Sequence, residues 1–206
     1  MADANILIAF YSRDGSTETL AKEVAAGAIE AGAEVRLRRA RDLVSEEIMK
    51  KVPGWAENSK RMHAEYHAPT IEDAAWSDGI IFGTPTRFGN VSSELKAYID
   101  SLGSIWAQGG LFNKAGAAFV STASTHGGNE VTSLTLFAPM AHLGLIIVPN
   151  GYGDPISFAA GTPYGSSHVA GQGPLPLSDE SKTVARMQGK RVTEVARVLK
   201  PLRKKS

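Results

Sequence analysis

The sequence predicts an α/β protein built on a doubly wound parallel sheet with long inserted loops. Three observations carry that expectation. Short apolar runs are continuous instead of alternating, as in strands buried on both faces. Stretches with a 3.6-residue apolar period fall between them, so strands alternate with helices and imply right-handed crossovers. Glycine-bearing polar loops follow the runs, where an open α/β sheet places its ligands.

The continuous runs cover residues 6–11, 79–83, 117–120 and 145–148. A fifth segment, residues 34–38, alternates and suits a strand near an edge. Five strands in this arrangement suggest the flavodoxin-like order. The clearest helix covers residues 17–31, where Leu20, Ala21, Val24, Ala25, Ala28 and Ile29 share a face, with Ser16 as N-cap and Gly32 just past the C-terminus. Leu95, Tyr98, Ile99 and Leu102 mark a helix after Ser92. Residues 134–143 form one despite Pro139, and Val184, Met187, Val192, Val195 and Leu199 mark a last one ended by Pro201. Residues 53–68, 103–113 and 149–177 exceed ordinary connections and read as functional loops. No repeat or linker divides residues 1–206, which are expected to form one domain.

Composition excludes several functions. Lys and Arg total 22 against 21 Asp and Glu, a net charge of +1, so no global field draws nucleic acid. There is no cysteine, which removes disulfides, thiol nucleophiles, thiolate zinc sites and iron–sulfur ligation. No apolar stretch reaches the roughly 18 residues of a membrane span, and no signal sequence precedes the first run, so a cytoplasmic location without integral membrane association is expected. The basic residues Lys200, Arg203, Lys204 and Lys205 read as a solvated tail.

Three loops carry the chemistry. Ser12-Arg13-Asp14-Gly15-Ser16-Thr17 runs from the first strand into the best helix; its hydroxyls and N–H groups suit a phosphate dianion, although a plain strand-to-helix turn fits the same residues. After the third strand comes Gly83-Thr84-Pro85-Thr86-Arg87-Phe88-Gly89-Asn90, which offers backbone groups and an aromatic ring to a planar heterocycle. After the fourth comes Ser121-Thr122-Ala123-Ser124-Thr125-His126-Gly127-Gly128-Asn129. Together they point to a flat phosphorylated cofactor. The Walker pattern fails because Val184 stands where its first glycine belongs before Gly189-Lys190, and Gly151-Tyr152-Gly153 meets Ile156 instead of a third glycine. No Gly-x-Ser-x-Gly elbow occurs. His63 and His67 would share a helical face, but no third ligand accompanies them, so they read as solvated surface and no metal is expected. On composition alone Trp106 reads as packing and His142 as a satisfied core or helix-end histidine.

At these loops the chain resembles the WrbA-type NAD(P)H:quinone oxidoreductases of the flavodoxin-like superfamily, over nearly its whole length. The most specific matches are the segment from Gly83 to Asn90 and Gly161-Thr162-Pro163-Tyr164-Gly165, with Trp106 and His142 between them. The resemblance implies noncovalent FMN in a homotetramer whose active sites are completed by neighbouring subunits. It places the FMN phosphate at Ser12, Arg13, Asp14, Gly15, Ser16 and Thr17, and the ribityl chain and ring at Pro85, Thr86, Arg87, Phe88, Gly89 and Asn90. The pyrimidine edge falls to Ser121, Thr122, Ala123, Ser124, Thr125, His126 and Gly127. It brings His142 from an adjoining subunit and makes Trp106 the wall against which quinone packs.

Asp14 stands where the family often has an aromatic residue touching the nicotinamide nucleotide, and a carboxylate there would repel phosphate, so NADH and NADPH both remain as donors. The implied reaction is a two-electron, ping-pong reduction of quinone to hydroquinone at one site, in which the flavin does the redox chemistry and no side chain is a chemical catalyst. A flavodoxin-like one-electron carrier, or a regulatory or scaffold protein of the same fold, are the alternatives.

Overall fold

The computed structural model describes residues 4–171 and 175–203. Its sheet is built from β1 (Ala4–Phe10), β2 (Ala33–Arg39), β3 (Gly79–Pro85), β4 (Ala115–Thr122) and β5 (Ile146–Ile147), hydrogen-bonded in the order β2-β1-β3-β4-β5 and parallel throughout. A sixth strand, β6 (Ser167–Val169), pairs with the far end of β4. The expected five-stranded order is thus present with its fifth position divided: β5 pairs with Ala115 and Gly116, and β6 with residues 120–122. The segment between them leaves the sheet and returns to the same edge. As expected, the alternating strand β2 lies at the opposite edge.

Two apolar layers cover the sheet. Ile6, Ile8, Phe10, Ile81 and Phe119 face α1 (Ser16–Glu30) and α8 (Asp179–Leu199), which contribute Leu20, Val24, Ala28, Val192 and Ala196. Leu7, Ala9, Ile80, Phe82 and Ala118 face α5 (Ser93–Ser101) and α7 (Asn129–His142), which contribute Leu95, Ile99, Leu136 and Met140. Successive strand residues pointing to opposite faces explain why the runs had to be continuous. Helices α1 and α8 touch backbone to backbone: a Cβ on Gly189 would lie 2.0 Å from the Val24 carbonyl oxygen. Gly189 is therefore a packing glycine.

Several local expectations hold. Ser92 caps α5 by accepting from the Leu95 N–H, and Gly32 follows α1 with φ 86°. Others are corrected. Ser16 is the first residue of α1 and not its cap; that position belongs to Gly15, and no side chain caps the helix. Residues 53–68 are not an open loop. After the short α2 (Glu46–Met49), they fold into α3 (Trp55–Glu65), which buries Ser59 and Met62 three residues apart on one face, a pattern obscured by the charges around it. Residues 70–77 contain α4 (Ile71–Trp76), started by a Thr70/Asp73 capping box. Residues 103–113 contain the short α6 (Gly103–Ala107). The C-terminal basic residues do not all extend into solvent: Lys200 and Arg203 both pair with the buried Asp78. Lys204 and Lys205 lie outside the described residues.

Candidate functional site

The site begins where β1 ends. Tyr11 and Ser12 remain fully buried, and the chain turns through Gly15, whose φ of 101° is a conformation that L side chains rarely adopt. The turn is held from within. The Gly15 N–H donates to Ser12 Oγ at 3.1 Å, and the Ser16 N–H to Asp14 Oδ1 at 3.0 Å. Ser16 is 3% exposed, yet its Oγ has no hydrogen-bond partner. Buried hydroxyls are normally satisfied, so an orphan in a turn at a helix N-terminus points to a missing acceptor or donor.

The second loop leaves β3 at Pro85 and doubles back. Arg87 and Asn90 exchange both backbone hydrogen bonds, at 2.9 and 3.0 Å, around a tip at which Phe88 and Gly89 have φ of 54° and 76°. Positive φ at both central residues is the type I′ arrangement, normally filled by Asn or Gly. Phe88 occupies it with its side chain wholly exposed. An apolar ring on a strained backbone and without protein cover is poor economy unless something stacks on it. Thr86 secures the hairpin: its N–H donates to Ser121 O, its Oγ1 accepts from the Gly89 N–H, and its Oγ1 lies 2.9 Å from Thr132 Oγ1.

The third loop follows β4. Ser121 and Thr122 are buried, while Ala123, Ser124, Thr125 and His126 are exposed. Thr17 Oγ1 and Ser121 Oγ hydrogen-bond at 2.7 Å, which ties this loop to the first.

These pieces line one cleft of about 120 Å³. Arg13, Asp14 and Ser16 come from the first loop, Pro85, Thr86 and Arg87 from the second, and Ser121, Thr122 and Ala123 from the third. Ser12, Gly15 and Thr17, expected at the site with them, do not line it. Phe88, Gly89 and Asn90 stand at the hairpin tip outside the enclosed part, and Ser124 to Gly127 form a turn that does not line it. Ala170 and Gly171 complete the cleft. Sequence reading missed both, because a three-residue strand carries no periodic signal; the glycine just after it was the one available hint. The Ala170 N–H reaches Thr122 O at 2.7 Å, so β6 delivers them beside the β4 loop.

Trp106 and His142 are not in this cleft. They share a separate groove of about 290 Å³ with Ile99, Asp100, Gly103, Pro139 and Leu143, where Trp106 is 53% exposed. The two residues are brought together from α6 and the end of α7, but the groove has no lining residue in common with the cleft.

The electrostatics around the first loop are compensated. Glu18 in the first turn of α1 is buried, which raises its proton affinity. Bonds from Arg61, Lys22 and Tyr66 outweigh burial and hold the carboxyl at about 2. It is therefore a paired carboxylate, and its charge near the turn is neutralised. His63 and His67 do not share a helical face, because α3 ends at Glu65; His63 instead lies 3.4 Å from Asp42 Oδ2. Among the described residues no group of three His, Asp or Glu side chains could hold a metal.

Comparisons with known proteins show the family. Residues 6–154 match the family of NADPH-dependent FMN reductases. A NAD(P)H dehydrogenase (quinone) of Methylocella silvestris is 41% identical over 96% of this chain and 99% of its own, and one of Geotalea uraniireducens is 39% identical over 93% and 97%. Among solved structures, a flavodoxin, WrbA-like protein from Agrobacterium tumefaciens superposes with a TM-score of 0.65 at 25% identity, covering 95% of this chain and 98% of that one. Oxidised flavodoxin 1 from Bacillus cereus shares the fold, with a TM-score of 0.59 at 18% identity over 93% and 98%. With the match spanning the Gly15 turn, the hairpin and the β4 loop, the chain belongs to the NADPH-dependent FMN reductase family, on the side of its WrbA-like quinone dehydrogenases.

Proposed function

We propose that this protein is an FMN-dependent NAD(P)H:quinone oxidoreductase, reducing quinones to hydroquinones by two-electron, ping-pong turnover at one site. The observation that carries the reading is the cradle at the end of β1: a left-handed Gly15, the start of α1 and a buried Ser16 Oγ without a partner. This donor set suits a phosphate dianion, so the residues fit the phosphorylated end of FMN.

When bound, FMN supplies reversible two-electron redox chemistry. The protein's part is to bind and position. Within the turn of residues 12–17, Ser16 Oγ would hold the phosphate, with Arg13 adding positive charge at the rim, while Ser12, Asp14, Gly15 and Thr17 fix the turn through their own bonds. Pro85, Thr86 and Arg87 line the path of the ribityl chain, and exposed Phe88 offers a face beside the ring. Ser121, Thr122 and Ala123, with Ala170 and Gly171, present backbone groups to its polar edge. The cleft lined by these loops would take part of the cofactor, and nicotinamide and quinone would use the one site in turn.

The reading includes a homotetramer in which a neighbouring subunit brings His142 to the ring; within one chain His142 and Trp106 lie in a groove apart from the cleft. Trp106 is then the wall against which quinone packs. We read residues 1–206 as one FMN-binding domain working in the cytoplasm; no helix among the described residues is long and apolar enough to cross a membrane.

The deciding experiment is anaerobic. FMN is added to purified protein, the complex is mixed with NADH or NADPH, and the flavin absorbance is followed before and after benzoquinone. Rapid bleaching by a nucleotide and full recovery on quinone is the expected result, and it identifies the preferred donor. FMN that binds but is reduced by neither nucleotide would favour an electron carrier, and absence of FMN binding would remove the cradle.

A further inference from the structure

Beneath the cradle lies an ion pair that the redox chemistry does not use. Arg39, the last residue of β2, is fully buried. Its Nε and Nη2 both donate to the backbone carbonyl of Ser12, at 3.2 and 2.9 Å, and Nη2 also reaches Asp42 Oδ2 at 2.9 Å. Its guanidinium carbon lies 5.2 Å from the centre of the Tyr11 ring. Nη1 is buried with no acceptor.

Asp42 is held in turn from two sides. Oδ1 accepts from Tyr11 OH at 2.8 Å and from Trp55 Nε1 at 2.9 Å, and Oδ2 accepts from Ser59 Oγ at 2.7 Å. Trp55 and Ser59 belong to α3. Trp55 also lies under the Arg13 guanidinium, 5.3 Å from its ring centre, so α3 touches the cradle loop directly as well as through Asp42. The segment whose charges obscured its helix thus ends up bracing the first loop.

Burying such a pair is expensive, and apolar residues of similar volume often fill the same space at no loss of stability. Two details point to a positional role. The two-donor fork grips a single backbone oxygen, which a point charge could not do. The peptide group is also rigid and trans, so fixing the direction of Ser12 O points the N–H of Arg13 the opposite way within the peptide plane, away from Arg39. Arg13 is the first residue of the loop to line the cleft.

We propose that Arg39 is a positioning residue for the cofactor phosphate: locked by Asp42, and through it by Trp55 and Ser59 of α3, it pins the Ser12–Arg13 peptide so that Arg13 is presented to a dianion in the cleft. This rests on the FMN reading above and extends it to residues outside the cleft. A device of this kind acts on the phosphate and not on the ring. Its signature is therefore the ratio of affinities for FMN and for riboflavin, which lacks the phosphate.

The test is to titrate wild type, Arg39→Lys and Trp55→Phe with FMN and with riboflavin by flavin fluorescence, and to record the ³¹P resonance of bound FMN. Trp55→Phe keeps an aromatic face under Arg13 and removes one donor to Asp42, so it decides the matter if Arg39→Lys does not fold. The preference for FMN should fall by about tenfold in Arg39→Lys and about threefold in Trp55→Phe, with a displaced ³¹P resonance. Equal losses of FMN and riboflavin affinity, with the ³¹P resonance unmoved, would overturn the proposal and leave the pair a purely structural element. A wild type that does not distinguish FMN from riboflavin would instead overturn the phosphate cradle itself, and this inference with it.

Discussion

Thr17 Oγ1 and Ser121 Oγ lie 2.7 Å apart although 104 residues separate them in the chain. One sits in the first turn of α1 and the other at the end of β4, and both side chains are buried. Their bond joins the loop assigned to the phosphate with the loop assigned to the ring's polar edge. Replacing one partner strands the other. Thr17→Val and Ser121→Ala should each lower stability by about 1–2 kcal/mol and weaken FMN binding. The double variant should cost less than the sum, as a double-mutant cycle from urea unfolding would reveal; strict additivity would mean that the bond contributes nothing.

Gly15 tests the turn itself. A Cβ built there meets nothing closer than Glu18 Oε2 at 3.7 Å, so the obstacle to a side chain is the backbone at φ 101° and not a clash. Gly15→Val should cost about 1–3 kcal/mol and weaken FMN binding as the turn relaxes away from its cradle geometry. Isothermal titration with FMN checks this, and wild-type affinity would refute the placement.

Trp106 separates cofactor binding from substrate binding. Its groove shares nothing with the cleft of its own chain. Trp106→Ala should lower kcat/KM for quinone by about tenfold while leaving the FMN dissociation constant within about twofold. Unchanged steady-state kinetics would take Trp106 out of the site.

Lys114 gives the fold a pH dependence far from the chemistry. It is 4% exposed just before β4, and its Nζ donates to the carbonyls of Ala74 and Ala75 at 2.6 and 2.8 Å. Burial, helped by Arg203 and opposed by Asp78, lowers it from 10.5 to about 8. Between these values the unfolded chain binds more protons than the folded one, so stability should rise as pH increases through 8 towards 10, by at most about 3 kcal/mol. Above about 10 the buried Tyr11, Tyr66 and Tyr98, all held above the ordinary phenol range chiefly by burial, reverse the slope. Lys114→Met should flatten the rise between pH 8 and 10 in denaturant titrations; an unchanged slope would assign it to another group.

What could be read from the chain and what could not divide along one physical line. The continuous runs around Ile8, Ile81 and Phe119, the 3.6-residue face of α1, the Ser92 cap and the edge position of β2 are consequences of local pattern, because the two-residue and 3.6-residue periods decide which face a side chain takes. So are the three loops, whose turn formers and hydroxyls are contiguous. Closure in space decided the rest. β5 and β6 share one edge only because β4 offers both ends of its ladder to segments far apart in sequence. Ala170 and Gly171 enter the cleft by that route, and α3 emerges from a highly charged stretch because its buried Met62 finds a core to join. Arg39 reads as one more charge on an edge strand until Ser12 and Asp42 close around it. A buried charge is tolerated only where its partners meet it, and that meeting is a property of the folded molecule, not of any segment of its sequence.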